Sequence, residues 1–130
     1  MIEIALNESG KGIYQKQIAE NQDISLKYLD HIIHALKASG LITNLKGKKS
    51  GYILTRPPSE ITMYDIHNAF ESGICVIDCL SSNISCDRED RCAARGFWGK
   101  LNNQIVNYFK TVTLENLINE QIELDDFGNQ

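Results

Sequence analysis

The chain has 130 residues, 42% of them apolar and 23% charged, with a net charge of -4, enough for one modest hydrophobic core with an extension. No apolar run approaches the roughly 18 residues of a membrane span, and no basic segment followed by a hydrophobic one opens the chain, so it is expected in the cytoplasm and not in a membrane. In that compartment its four cysteines are expected to be reduced, metal-bound or redox-active, not a structural disulfide framework.

The charge is unevenly placed. Residues 24–56 hold six basic side chains (Lys27, Lys37, Lys46, Lys48, Lys49, Arg56) against one acid, Asp30, a net +5, whereas from Ile61 onward five basic and eleven acidic residues give -6. A basic stripe on an acidic protein fits a nucleic-acid face; the plainer alternative is that these lysines only solubilise a helix and a turn.

In chain order, Met1, Ile2, Ile4, Ala5 and Leu6 give way to Asn7-Glu8-Ser9-Gly10, a stop signal, and read as the last turns of a helix whose first half is missing. Residues 11–13 are a short extended connection. Residues 14–21 form a short helix with Ile18 and Ala19 on its inner face, closed by a tight turn at Asn21-Gln22-Asp23. Ser25 is a good N-cap for the next helix, whose apolar positions Leu26, Leu29, Ile32, Ile33, Leu36 and Leu41 keep helical spacing, with Gly40 ending the helix. Its other face carries Lys27, Tyr28, Asp30, His31, His34 and Lys37. Two short helices joined in this way form a helix-turn-helix.

Residues 41–45 and 52–55 are β-prone runs around Lys46-Gly47-Lys48-Lys49-Ser50-Gly51. Glycines flanking a cationic tip predict a hairpin, the wing of a winged helix. After Arg56-Pro57-Pro58, residues 63–70 read as a helix capped by Thr62 or Ser59, with Ile66, Ala69 and Phe70 inward. The apolar run 74–77 is expected to pack on the domain, which favours Cys75 as a core thiol over the alternative of a substitute metal ligand. Then Cys79, Cys86 and Cys92, spaced by seven and six positions in a polar segment without periodicity, are able to converge on one centre from a loop.

Residues 93–110 give the strongest helix. Phe97, Trp98, Leu101, Ile105, Tyr108 and Phe109 form an apolar stripe at three- and four-residue spacing, and a small domain already closed by its own helices has little left to cover it. A second copy of the chain is the expected cover. Residues 113–122 form a terminal helix, and the acidic end from Glu123 is expected to fray. No internal repeats occur. His31, His34 and His67 accompany no nucleophile motif and no phosphate-cradling glycine loop is present, so the chain is not expected to be an enzyme.

Taken together, Ile24-Ser25-Leu26-Lys27-Tyr28-Leu29, Lys46-Gly47 through Gly51-Tyr52, Arg56-Pro57-Pro58, the three cysteines and Thr113-Leu114-Glu115-Asn116-Leu117 make the chain resemble the bacterial Rrf-two family of winged-helix regulators, the IscR, NsrR and CymR group. The resemblance implies a mainly α fold with a small β-hairpin wing and a long C-terminal dimerisation helix. It divides the chain into a winged-helix unit (1–73), a cysteine-containing sensor loop (74–93), the dimerisation and terminal helices (94–122) and an acidic tail (123–130). It implies a dimeric regulator that binds a double-stranded DNA operator, with Ser25 and Tyr28 at phosphates, Lys27, Asp30 and His31 at base edges, and Lys46, Lys48 and Lys49 on the wing. It further implies that Cys79, Cys86 and Cys92 hold an iron-sulfur cluster, of the 2Fe-2S type, that can be lost on purification. Zinc held by thiolates, or thiols that switch without metal as in the CymR branch, stay open. Three departures from the family pattern matter. Arg95 stands where some members carry a histidine ligand, the chain begins about a dozen residues after the usual start, and Lys48-Lys49-Ser50 replaces Pro-Gly-Gly at the wing tip.

Overall fold

The structure, a computed structural model, describes residues 1–7, 9–46 and 50–129. Its helices are α1 (Ile2–Leu6), α2 (Gln15–Asn21), α3 (Leu26–Ala38), α4 (Met63–Asn68), α5 (Ala93–Thr111) and α6 (Leu114–Gly128), and a two-stranded antiparallel hairpin, β1 (Ile42–Asn44) and β2 (Tyr52–Leu54), sits between α3 and α4. Among the described residues no helix is long and apolar enough to cross a membrane.

Local chemistry sets the ends of α3. The Ser25 hydroxyl accepts from the Tyr28 N–H at 3.1 Å, satisfying one of the unpaired donors of the first turn. At the other end Gly40 sits at φ +74; its N–H donates to the Lys37 carbonyl and the Leu41 N–H to the Leu36 carbonyl, both at 3.0 Å. This is a Schellman closure, and its apolar clasp is the buried Leu41. Between these ends Leu29, Ile33 and Leu36 are buried. The α2–α3 turn places Asp23 at φ +50, a region aspartate tolerates better than most residues.

The hairpin pairs Ile42 with Leu54, Thr43 with Ile53 and Asn44 with Tyr52. Residues 11–13 join its other edge: Ile13 and Tyr52 exchange backbone hydrogen bonds at 3.1 and 2.8 Å, and the Gly51 N–H donates to the Lys11 carbonyl at 2.9 Å. The extended connection is therefore a third, one-bridge strand of the wing.

α6 starts inside the same unit. The Met63 N–H donates to the Val112 carbonyl and the Leu114 N–H to the Ile61 carbonyl, both at 2.8 Å, so the caps of α4 and α6 lie back to back. Each is a capping box, Thr62 with Asp65 and Thr113 with Asn116, and the pairing drives Ile61 and Leu114 into a core shared with Ile4, Ile18, Leu29, Ile33, Leu36, Leu41 and Ile42. The motif Thr113-Leu114-Glu115-Asn116 thus anchors the C-terminal helices to the winged unit.

Four local expectations are corrected. Leu26 is 52% exposed, because it is the first residue of α3, ahead of the first buried position at Leu29. Phe70 is 50% exposed, because α4 ends at Asn68 and the chain turns before Phe70 can follow the inner face. Cys75 is exposed. The side-chain amide of Asn102 on α5 grips the flanking backbone, accepting from the Val76 N–H and donating to the Ile74 carbonyl at 2.9 Å each, which leaves the thiol between them outside. The acidic end does not fray at Glu123: α6 runs on to Gly128, supported by Gln121 and Asn129 hydrogen bonds to the Asp125 side chain and carbonyl.

Asp65 links the wing's exit to α4. It accepts from the Thr62 backbone at 2.9 Å and from the Arg56 guanidinium at 3.0 Å. Burial alone would raise the carboxyl, but the Thr62 hydrogen bonds and Arg56 outweigh it and hold Asp65 below its ordinary value of 3.8. A lowered carboxylate contributes stability above its unfolded value and loses it as pH falls through the folded one. The wild-type chain is therefore expected to lose more stability between pH 5 and pH 2.5 than an Asp65→Asn variant, read as the shift in urea midpoint. Equal shifts would remove Asp65 from the acid response.

Candidate nucleic-acid interface and cysteine loop

The helix-turn-helix presents Ser25, Lys27, Tyr28, Asp30 and His31 on an exposed face, Tyr28 at 60%. Lys46 at the base of the wing is exposed as well; Lys48 and Lys49 lie outside the described residues. Lys37 is tied down, its ammonium donating to the Asn44 side chain at 2.8 Å and sitting 5.8 Å from the centre of the Tyr52 ring. The helix and wing are thereby fixed to each other, a contact that neither segment signals alone.

Gln15, the first residue of α2, adds a second tie. Its amide NH2 lies 3.4 Å from both the Leu26 carbonyl and the Asp30 carboxylate, and its carbonyl accepts from the Tyr52 hydroxyl at 3.3 Å. Burial first, and then the charge of Asp30, push the Tyr52 phenol up from its ordinary value. Sequence reasoning passed over Gln15 because a glutamine at a helix start carries no motif.

The cysteine loop runs from the α4 side of the unit to the start of α5. Cys79 lies in the 3-10 turn Asp78–Leu80, Cys86 is exposed in an irregular stretch, and Cys92 is the N-cap of α5, its Sγ accepting from the Arg95 N–H at 3.4 Å. All four cysteines are free. Arg95 gathers the loop: its guanidinium pairs with Glu89 at 2.6 Å and its Nε lies 3.5 Å from the Cys79 carbonyl. The arginine that fails as a metal ligand instead joins Cys79, the Glu89–Arg91 turn and Cys92.

Soft thiolate donors on one loop suit an iron-sulfur centre, and the positive end of α5 beside Cys92 suits an anionic ligand set. Among the described residues, however, no three His, Cys, Asp or Glu side chains are gathered closely enough to hold a metal ion. The donor set fits such a group; the loop would have to close to bring its donors together.

Along α5 no side chain is fully buried. Phe97 is 62% and Tyr108 69% exposed, while Trp98, Leu101, Ile105 and Phe109 are half-buried. Part of the stripe does have an intrachain cover. His67 of α4 meets Phe109 edge to face at 5.7 Å, and the Lys110 ammonium caps the Tyr64 ring at 4.7 Å.

Residues 1–120 match the Rrf2 family, described as an iron-dependent transcriptional regulator. All 130 residues align with the helix-turn-helix transcriptional regulator IscR of Photorhabdus laumondii at 30% identity, spanning 79% of that protein, and with IscR of Escherichia coli at 28%, spanning 80%. Of solved structures, CymR of B. subtilis, the global cysteine regulator, is similar with a TM-score of 0.75 at 27% identity over 92% of this chain and 87% of that one. IscR of T. potens gives 0.71 at 25% identity over 92% and 78%. The relatives are transcription regulators and not enzymes. With its helix-turn-helix, its wing and its long C-terminal helix, the chain belongs to the Rrf2 family of winged-helix transcriptional regulators.

Proposed function

We propose that the chain is a cytoplasmic homodimer that binds a double-stranded DNA operator and sets its affinity through the state of Cys79, Cys86 and Cys92. Ser25 and Tyr28 contact phosphates, Lys27, Asp30 and His31 address base edges, and Lys46, Lys48 and Lys49 meet the adjacent backbone or minor groove. Phe97, Trp98, Leu101, Ile105, Tyr108 and Phe109 supply the dimer interface. The units of this reading are the winged helix (1–73), the sensor loop (74–93) and the helices that follow, with the acidic residues from 123 onward carried on the last turns of α6. The observation that carries it is the position of the cysteine loop: it leads from the winged unit into α5, and Arg95 on the first turn of α5 holds both of its ends.

In the first reading Cys79, Cys86 and Cys92 hold an iron-sulfur cluster of the 2Fe-2S type, which supplies redox and ligand sensitivity when bound. The chain's own part is to couple loop closure to α5 and hence to the spacing of two recognition helices. A cluster-free thiol switch is the second reading. The dispersed cysteines favour it, as does the likeness to CymR of B. subtilis.

Anaerobic purification with iron and sulfide analysis separates the two. Reconstituted protein and a Cys92→Ala variant, titrated with one operator at one salt concentration, are expected to differ at least tenfold in affinity, about 1.4 kcal/mol. A wild-type chain that takes up neither iron nor sulfide would leave the thiol reading. Equal affinities of the reduced, oxidised and Cys92→Ala proteins would remove both.

A further inference from the structure

We propose that Gln15 is a positioning residue for base recognition: from outside the recognition helix it holds the Asp30 carboxylate in one orientation at the DNA face and ties it to the wing through Tyr52. The inference rests on the reading of α3 as the recognition helix.

Asp30 is the one acid among residues 24–56, and it is exposed on the face that carries Lys27 and His31. An ionised carboxylate only accepts hydrogen bonds. Near DNA it is repelled by phosphates and by guanine O6 or thymine O4, and it is favourable only opposite an exocyclic amino group, cytosine N4 or adenine N6. Its value in discrimination therefore depends on where it points. A carboxylate free to rotate would be driven away from the duplex.

The Gln15 amide removes that freedom. Its donors face two acceptors, the Leu26 carbonyl and Asp30 Oδ1, and its carbonyl faces a donor, the Tyr52 hydroxyl. The flipped amide would set its carbonyl against two acceptors, the Leu26 carbonyl and Asp30, whereas the Tyr52 hydroxyl can donate or accept, so those two acceptors fix the polarity of the relay. Asp30 Oδ2 takes no hydrogen bond among the described residues and is left for a base. Tyr52 in turn lies beneath Lys37, which is bonded to Asn44 of β1. Gln15 thus connects α2, α3 and both strands of the wing, and any shift of the wing reaches Asp30 through one side chain.

The test uses the full-length protein and a double-stranded library randomised over the operator length. The selected motif is followed by titration of duplexes that differ at single base pairs. Asp30→Ala is expected to lose about tenfold or more of the preference at one position in each half-site. Gln15→Leu, which removes the amide at similar size, should lose preference at that same position, keep its dependence on salt, and add nothing in the double variant with Asp30→Ala. Tyr52→Phe, which deletes one hydroxyl, should give a smaller loss there, and it carries the test if Gln15→Leu is poorly folded by circular dichroism. Full preference retained by a folded Gln15→Leu alongside loss in Asp30→Ala would overturn the proposal while leaving the recognition helix in place. So would an equal weakening toward all duplexes. A wild-type motif that Asp30→Ala leaves unchanged would overturn it through the underlying reading instead.

Discussion

Replacing Gly51 by alanine is expected to cost the chain about 3 kcal/mol or more, a large part of the roughly 5–15 kcal/mol that holds a domain of this size together. The reason is a crossing of two backbones. A Cβ on Gly51 would lie 2.5 Å from the Gly12 carbonyl carbon and the Ile13 nitrogen, and one on Gly12 would lie 2.6 Å from the Gly51 carbonyl carbon. All of these are main-chain atoms, which no rotamer change can move aside. Relief would require residues 11–13 to leave the wing, losing the Ile13–Tyr52 exchange and the Gly51–Lys11 bond and uncovering the buried Ile13. Gly10→Ala is the matched control: its φ of +68 makes alanine strained, but nothing lies within 4 Å of an added Cβ, so only about 1–2 kcal/mol is expected. Urea denaturation of the two variants checks the difference. A Gly51→Ala midpoint at or above that of Gly10→Ala would show that the backbones part at little cost.

That contrast also separates what the sequence declares from what it hides. The helix-turn-helix and hairpin were legible because Ser25, Gly40 and the spacing of Leu29, Ile33 and Leu36 are local signals, repeated at several levels. Gly51 was legible as a turn residue only, and Gly12 only as part of an extended connection, since the need for both glycines arises when segments 39 positions apart touch. Gln15, Asn102 and Arg95 are of the same kind. Each makes its hydrogen bonds across elements, to Asp30 and Tyr52, to the backbone around Cys75, and to Glu89 and Cys79, and none stands in a pattern that spacing could expose. Phe70 and Cys75 were misread because a hydrophobic run was given a continuous inner face where the chain turns. The cysteine spacing was plain, whereas the distances between the thiols depend on a loop without periodicity and so had no sequence signal.

Phe97→Glu is expected to convert the proposed dimer into a folded monomer. Residues 97, 101, 105 and 108 follow each other at four, four and three positions, and the eleven residues from Phe97 to Tyr108 bring an α-helix back to within about 20° of the same direction. The two most exposed aromatic residues of α5 therefore lie at opposite ends of one face, with Leu101 and Ile105 between them. A two-fold axis near the middle of that face would set Phe97 of one copy toward Tyr108 of the other and bury both. Glutamate at 97 then enters the interface twice, once from each copy. Two unpaired buried carboxylates are expected to weaken association by about 4 kcal/mol or more, roughly a thousandfold. Trp98→Glu is the less discriminating change, because Trp98 is half-buried by its own chain and packs edge to face on Phe97 at 5.2 Å; its loss would disturb subunit and dimer together. Phe97, at 62% exposure, gives up little within the subunit, so circular dichroism should stay that of the wild type while light scattering falls to the mass of one chain. A monomer carries one recognition helix and one wing, so the number of phosphate contacts, and with it the slope of log affinity against log salt, should drop by about half. A Phe97→Glu chain that remains a dimer at micromolar concentration, with an unchanged slope, would place the interface elsewhere and leave the exposed face of α5 to another partner.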